Sequence, residues 1–579
     1  MSVLKHLKPE NLKAQYQMAR VMTGLSADLG KAYAQWVAAL ATHPGFVMKH
    51  SVSLTGDYLG IGGELLRQAV GTPVNGAAAN GSNGDRRFSS ATWQQRPVFN
   101  AVRRTWQANT RTMLSLADGT PGLDQDTARK LRFFTGQFLD AVAPSNFALS
   151  NPEVLAATKS SKGRNLVEGV RNFWSDLDIE HGRLKVSMSD MGAFKVGRDL
   201  AVTPGKVVYQ NELMQLIQYT PTTAKVARRP LLIIPPWLNK YYVLDMQPSN
   251  SLVRWAVDQG HTVFLISWVN PNGETRDKTF DDYMTEGPLT ALDVIKDLTG
   301  QEEVNAMGYC LGGILLTVML AWLEAKGRKP IRSATFLTTL VDYSDVGDIK
   351  VFVNEELVDR LEAVGRAKGF IPGDNVSWGF RMLRAPDLIW SFIINHYLLG
   401  KPRIPFDLLY WNEDATNMPA ACHTWFMRNM YLKNLLREPG GIEVAGEPID
   451  VSRVTTPSYV LATRDDHIAP WKTCYETTQL FSGPNRFVLG NSGHIAGAIN
   501  PPTKVKYGFR AGDKPPANPD AWFASTEETP GSWWLDWGKW LKKHAGGQVN
   551  ARQPGLHKDY PVIEDAPGSY VRRTLDETR

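Results

Sequence analysis

Between about residue 220 and residue 490, short apolar runs alternate with helix-patterned stretches. Directly after one of those runs comes a glycine-flanked cysteine, Gly308-Tyr309-Cys310-Leu311-Gly312-Gly313, which opens an apolar helical stretch over 314–326. The alternation predicts an α/β protein with a mainly parallel sheet, because parallel strands need a crossover, usually a helix, between them. The cysteine narrows this to the α/β-hydrolase fold, in which a Gly-x-nucleophile-x-Gly turn joins a strand to a helix. The expected architecture adds an inserted cap subdomain and a helical N-terminal domain.

In chain order, residues 1 to about 74 favour helix, as in 12–25 and 28–41. The Gly-, Ala-, Asn- and Ser-rich stretch 73–90 predicts a linker. Helical patterning resumes over 91–185, with Trp93, Phe99, Trp106, Leu114, Leu131, Phe134 and Phe138 among the apolar positions. Two domains are expected, a helical one over 1–190 and a catalytic one over 191–579. Residues 192–219 turn strand-like, and 231–234, 262–268, 304–307, 334–341, 459–462 and 487–489 read as strands of the main sheet. The gap between Asp342 and Pro457 is too long for an ordinary connection and holds aromatic-rich helical pieces over 390–399 and 422–436. It predicts a cap at about 343–456. From about residue 545 the chain is rich in Arg, Asp, Pro and Gly and predicts a loose tail.

The chain has 579 residues, 43% hydrophobic and 21% charged, which describes a globular protein with a sizeable core. A net charge of +6 is mild for this length, and no Arg/Lys run, zinc spacing or recognised motif points to nucleic acid or a metal. Three cysteines (Cys310, Cys422, Cys474) form no disulfide framework and fit a reducing cytoplasm. Residues 1–32 lack the apolar core of a signal peptide. No run reaches the ~18 apolar residues of a membrane span. Among 18 tryptophans, the group Trp533, Trp534, Trp537 and Trp540 reads either as core packing or as contact with a hydrophobic surface.

A thiolate at the elbow suits thioester chemistry, since sulfur attacks an acyl carbon readily and leaves readily. The plain alternative is a buried structural cysteine in a Gly-rich turn. A cysteine nucleophile needs a base, and the base an orienting acid; in this fold the order is nucleophile, acid, histidine. The strand at 457–462 runs into Thr463-Arg464-Asp465-Asp466-His467-Ile468-Ala469-Pro470-Trp471, and the strand at 486–489 ends in Gly490-Asn491-Ser492-Gly493-His494. Cys310, Asp466 and His494 are the expected triad, with Asp465 and Asp342 as rival acids and His467 as a rival base. The backbone N–H of Leu311 is one expected oxyanion donor, and a second is expected from the loop after 231–234, around Trp237 or Leu238.

These residues resemble the class I polyhydroxyalkanoate synthases. The resemblance covers roughly residues 85–545. It rests on the cysteine box, on Asp466-His467-Ile468-Ala469-Pro470-Trp471 and on Ser492-Gly493-His494-Ile495-Ala496-Gly497. It extends through Asp85-Arg86-Arg87-Phe88 with Trp93, Pro144-Ser145-Asn146-Phe147, Pro235-Pro236-Trp237-Leu238-Asn239-Lys240-Tyr241-Tyr242, Gly260-His261-Thr262-Val263-Phe264, Pro405-Phe406-Asp407-Leu408-Leu409 and Gly531-Ser532-Trp533-Trp534. One departure is Trp237 after the paired prolines, where the family pattern has smaller residues.

The resemblance implies polymerisation of (R)-3-hydroxyacyl-CoA, with 3-hydroxybutyryl-CoA the expected monomer, into polyhydroxyalkanoate through an acyl-cysteine. It implies no cofactor, CoA being the leaving group of the substrate. It also implies a mobile cap, a growing polyester, a cytoplasmic location at the granule surface, granule-associated protein partners and a homodimer. Arg384, Arg464 and His467 are candidates to meet the CoA substrate. The rival enzyme is a thioesterase or lactone hydrolase with the same triad; a non-catalytic granule scaffold is the rival outside enzymes.

Overall fold

The computed structural model describes residues 9–70, 85–178, 183–575 and 577. The chain forms two compact units. Among the described residues, one unit comprises Thr23–Asp190 and Ser377–Pro405; the other comprises the residues before Thr23, Met191–Val376 and those from Phe406 onward.

The helical unit contains most of α1 (Pro9–Thr42), then α2 (Pro44–Ala69), α3 (Pro97–Gly119), α4 (Gln125–Ala141), α5 (Pro152–Ser161) and α6 (Arg164–Asp176). Pro44 and Pro97 open their helices at the first position, where a missing N–H costs nothing. Trp36 Nε1 donates to Thr120 Oγ1 at 3.0 Å, tying α1 to the end of α3. Of the expected linker 73–90, residues 73–84 lie outside the described residues, but its end belongs to the core. Phe88 is fully buried, and the buried Arg87 guanidinium pairs with Asp85 at 2.8 Å and Asp140 at 2.9 Å. Phe138, expected at an apolar position, stands exposed.

The expected single cap over 343–456 is divided. Ser377–Pro405 joins the helical unit through Arg403 to Asp176 (2.5 Å), Tyr397 Oη to Asp176 (2.7 Å) and Asn165 Nδ2 to the Leu398 carbonyl (2.8 Å). Gly169 of α6 makes the fit, because a Cβ there would lie 1.8 Å from the Tyr397 carbonyl oxygen.

The hydrolase unit is built on a ten-stranded sheet. Its strands are β1 (Gly205–Gln210), β2 (Met214–Tyr219), β3 (Leu231–Ile234), β4 (Val263–Trp268), β5 (Val304–Tyr309), β6 (Ile331–Leu337), β7 (Ser458–Thr463), β8 (Asn485–Gly490), β9 (Phe509–Asp513) and β10 (Glu564–Asp565). They run in the order β9-β8-β7-β6-β5-β3-β4-β2-β1-β10, and the stretch from β8 to β4 is parallel throughout. Every residue of β3, β5 and β7 is buried, as expected where helices cover both faces. Helix α7 (Leu311–Ala325) is apolar on nearly all sides and sunk in the core. The expected strand 334–341 leaves the sheet after Leu337, where Thr338 takes a positive φ of 45°.

The end of the chain is not loose. Gln548–Asn550 pairs with Lys225–Ala227, and β10 pairs with β1. Tyr570 and Val571 are buried, and Tyr570 Oη donates to the Asn211 carbonyl at 2.6 Å. Its Pro/Gly-rich sequence has no periodicity because it adds short edge pairings rather than an element of its own. Deleting residues 563–579 should destabilise the unit by about 3 kcal/mol or more, the worth of burying those two side chains. Urea unfolding of the full and shortened chains checks this; equal midpoints would contradict it.

Candidate active site

Strand β5 ends at Tyr309 and α7 begins at Leu311, so Cys310 alone makes the turn, with φ 51° and ψ −118°. Such a conformation costs a non-glycine residue of order 1–3 kcal/mol and persists only where the surroundings impose it. Here the glycines impose it. A Cβ on Gly308 would sit 2.4 Å from the Gly313 Cα, one on Gly312 2.0 Å from the Ile234 carbonyl oxygen, and one on Gly313 2.0 Å from Thr339 Oγ1. The Cys310 N–H donates to the Leu337 carbonyl at 2.9 Å, and its own carbonyl accepts from Gly313 N at 2.9 Å. The three cysteines are free thiols. Cys422 and Cys474 are buried, which pushes both thiols well above their ordinary pKa; Cys310 is half-buried at the turn.

His494 opens the short helix α10 (His494–Ala498) just beyond β8. Its Nδ1 donates to Asp466 Oδ2 at 2.7 Å, which leaves Nε2 as the nitrogen available to the nearby Cys310 sulfur. Asp466 Oδ1 accepts from the backbone N–H groups of Ile468 (2.8 Å) and Ala469 (2.9 Å), and Oδ2 also accepts from Thr463 Oγ1 (3.2 Å). Burial alone would raise the Asp466 pKa, but the His494 charge and these donors hold it below the ordinary carboxylate value. Burial alone would lower the His494 pKa, yet Asp466 and Cys310 outweigh it and raise the imidazole from 6.5 to about 10. The acid and histidine loops are joined by backbone bonds, Arg464 N to Gly490 O at 2.8 Å and Asp465 N to Ser492 O at 3.0 Å.

The structure thus brings Cys310, Asp466 and His494 together. It keeps the rival acids apart from them. Asp465 is exposed, and Asp342 is engaged by Arg437 at 2.7 Å, Asn434 at 2.7 Å and the Ser344 N–H at 2.8 Å. His467 is half-buried in the turn after Asp466. Leu311 is the first residue of α7, where a helix has N–H groups without intrahelical partners. Trp237 lies in the turn after β3, its indole buried edge-on against Phe280 and Phe426 at 5.8 and 5.7 Å, so any oxyanion role falls to its backbone. Arg464 lies over the Phe523 ring at 5.4 Å, and Arg384 pairs with Asp387 within the helical unit.

Sequence reasoning missed two groups. Tyr309 and Tyr343 are buried and Tyr431 half-buried, and burial first, then the nearby Cys310, raises the pKa of all three hydroxyls; the Tyr309 ring is 5.6 Å from His494. No spacing signal marks Tyr343 or Tyr431. Trp533 and Trp534 open α11 (Trp533–Lys542) and donate through Nε1 to the carbonyls of Gly497 and Ala498, each at 3.1 Å. With Trp537 bonded to Thr335 Oγ1 at 3.0 Å, these buried indoles brace α10 and β6 rather than offering a surface to a polymer. The Gly-Ser-Trp-Trp motif marked the place but not the task.

Two outcomes follow from this geometry. Because the raised His494 pKa lets the folded protein keep a proton that the unfolded chain releases, its stabilisation is full below about 6.5 and fades as pH rises through about 10. The Tm difference between the parent and His494→Gln should therefore shrink between those values; a constant difference contradicts the ion pair. Trp533→Phe keeps an aromatic ring, though a smaller one, and removes the donor to Gly497, so kcat should fall several-fold with KM little changed. Equal kcat in that variant would show that α10 holds His494 unaided.

A family model described as the N-terminus of poly-beta-hydroxybutyrate polymerase (PhaC) matches residues 84–256, and one described as the α/β hydrolase fold matches 229–501. A poly(3-hydroxyalkanoate) polymerase of Methylorubrum extorquens is 46% identical over 84% of this chain and 80% of its own length. The polymerase subunit PhaC of Cupriavidus necator is 43% identical over 86% and 84%, and that of Rhizobium meliloti 40% over 96% and 89%. With the cysteine elbow and the buried Asp466–His494 pair already in place on a hydrolase sheet, these likenesses settle the kinship: the chain belongs to the poly(3-hydroxyalkanoate) polymerase family.

Proposed function

We propose that the protein polymerises (R)-3-hydroxyacyl-CoA, with 3-hydroxybutyryl-CoA as monomer, through an acyl group carried on Cys310. The observation that carries this is the 2.7 Å bond from His494 Nδ1 to Asp466, which orients the imidazole toward the strained Cys310 in a chain of this family. In loading, the Cys310 thiolate attacks the thioester carbonyl. The oxyanion forms against the N–H of Leu311 and of Trp237 or Leu238, and CoA leaves with the proton held on His494. In elongation, the hydroxyl of a further hydroxyacyl-CoA attacks the acyl-cysteine, His494 takes its proton while Asp466 supports the imidazolium, and the C–S bond breaks to release the Cys310 thiolate; the lengthened acyl-CoA then reloads the sulfur as in the first step.

Thiol and imidazole carry every electron pair and proton in this scheme, so it invokes no cofactor and no metal. Arg464 and His467, flanking the acid on its loop, are the proposed CoA contacts. No helix among the described residues is long and apolar enough to cross a membrane. The family resemblance supports a cytoplasmic homodimer working at the granule surface beside other granule-associated proteins.

Incubation with 3-hydroxybutyryl-CoA tests the reading. Polymer plus CoA supports it; free hydroxy acid plus CoA would show a thioesterase instead. Cys310→Ala should lose CoA release at least about 10³-fold with the fold intact, and Cys310→Ser should retain little, because a hydroxyl is far harder to ionise. In a single turnover, Asp466→Asn should still load Cys310 but elongate slowly, and His494→Ala should load almost nothing. Asp465→Asn should match the parent. A reversal between the two adjacent acids would move the role to Asp465.

A further inference from the structure

The loop after β3, residues 235–240, carries the second oxyanion donor of the proposed mechanism. Pro235 and Pro236 have no N–H, so Trp237 and Leu238 supply its first donors. One end of the loop is fixed within the sheet: the Ile234 carbonyl lies against Gly312, and Trp268 Nε1 donates to the Pro235 carbonyl at 2.8 Å. The other end is fixed from outside. Thr416 Oγ1 donates to the Leu238 carbonyl at 2.5 Å, and Trp411 Nε1 donates to the Lys240 carbonyl at 2.7 Å. Lys240 Nζ meets Asp414 Oδ1 at 2.6 Å, and Tyr242 Oη donates to Asp414 Oδ2 at 2.8 Å.

The pinned carbonyls of Pro235 and Leu238 bracket the N–H groups of Trp237 and Leu238. A peptide plane with its carbonyl fixed cannot turn, so these bonds limit how the intervening donors can swing. The Lys240–Asp414 pair is nearly enclosed, its side chains 4% and 14% exposed. Desolvating two charges offsets most of their attraction, so such a pair is weak as a stability device and better explained by the orientation it enforces. Oxyanion donors lose most of their worth when displaced by a fraction of an ångström.

We propose that Asp414 and Thr416 are positioning residues for acylation. Through Lys240 and Leu238 they hold the loop's N–H groups where the thioester oxyanion forms, and they leave the reactivity of the thiolate itself untouched. This rests on the reading of Cys310 as acyl acceptor.

Two reactions of the same sulfur separate the ideas. Acylation by labelled 3-hydroxybutyryl-CoA passes through an oxyanion, but alkylation by iodoacetamide displaces iodide at a saturated carbon and forms none. In single turnovers followed by intact mass, Thr416→Val and Asp414→Asn should slow acylation about ten- to hundred-fold. Alkylation of Cys310 should stay within about two-fold of the parent. His494→Ala should slow both. Equal losses in both reactions, or acylation at the parent rate, would overturn the proposal. If Asp414→Asn gives no folded protein, Thr416→Val, which removes one hydroxyl, decides alone. A parent protein alkylated at Cys310 but never acylated would overturn the underlying functional reading instead.

Discussion

Strand β5 and helix α7 approach each other so closely that no side chain fits between them, and the position of the site follows from that contact. Gly308 lies against Gly313, Gly312 against the end of β3, and Gly313 against Thr339 beyond β6. One six-residue segment therefore locks together three neighbouring strands. Cys310 has no freedom left: its N–H is bound to Leu337, its carbonyl to the first turn of α7, and its φ is positive. The strain is held because the surrounding sheet over-determines it. The same close packing sets the start of the 235–240 loop beside the helix end that bears Leu311, so nucleophile and candidate oxyanion donors share one rigid frame.

Charge completes what backbone geometry begins. Asp466 and His494 are both buried, where each alone would favour its neutral form. Together they do the opposite: the carboxylate stays ionised on four donors, and the imidazole holds its proton more tightly than in water. A proton held this firmly suits a cysteine partner. The thiol gives up its proton more readily than a serine hydroxyl does, so in the proposed mechanism the histidine is asked less to strip a nucleophile than to keep a proton ready for the departing CoA.

Much of this was legible in the sequence because it depends on local chemistry. Buried parallel strands read as unbroken apolar runs, and the elbow must carry glycines whatever surrounds it. Asp466 could be preferred to Asp465 only by its place in the loop, and burial now separates the two. What stayed hidden depends on contacts distant in sequence. Ser377–Pro405 joins the helical unit through Asp176 and Asn165, some two hundred residues earlier, and no periodicity records such a pairing. The tail from about residue 545 looked loose because edge strands of two or three residues leave no pattern. Lys240 stands in a motif that the sequence marks and Asp414 in none; only the fold makes them a pair.

The tryptophans of α11 show how composition misleads about purpose. Four indoles within eight residues suggest a surface for an apolar product, yet Trp533, Trp534 and Trp537 are buried, and their N–H groups are bound to Gly497, Ala498 and Thr335. Indole suits this task, since it fills a large volume and offers one donor of fixed direction. The carbonyls it binds belong to a helix of five residues, too short to be stable by its own hydrogen bonds. His494 is the first residue of that helix, so its position depends on α11, nearly forty residues further along the chain. The catalytic reading thus requires the C-terminal part of the hydrolase unit to be folded before the histidine can meet its cysteine.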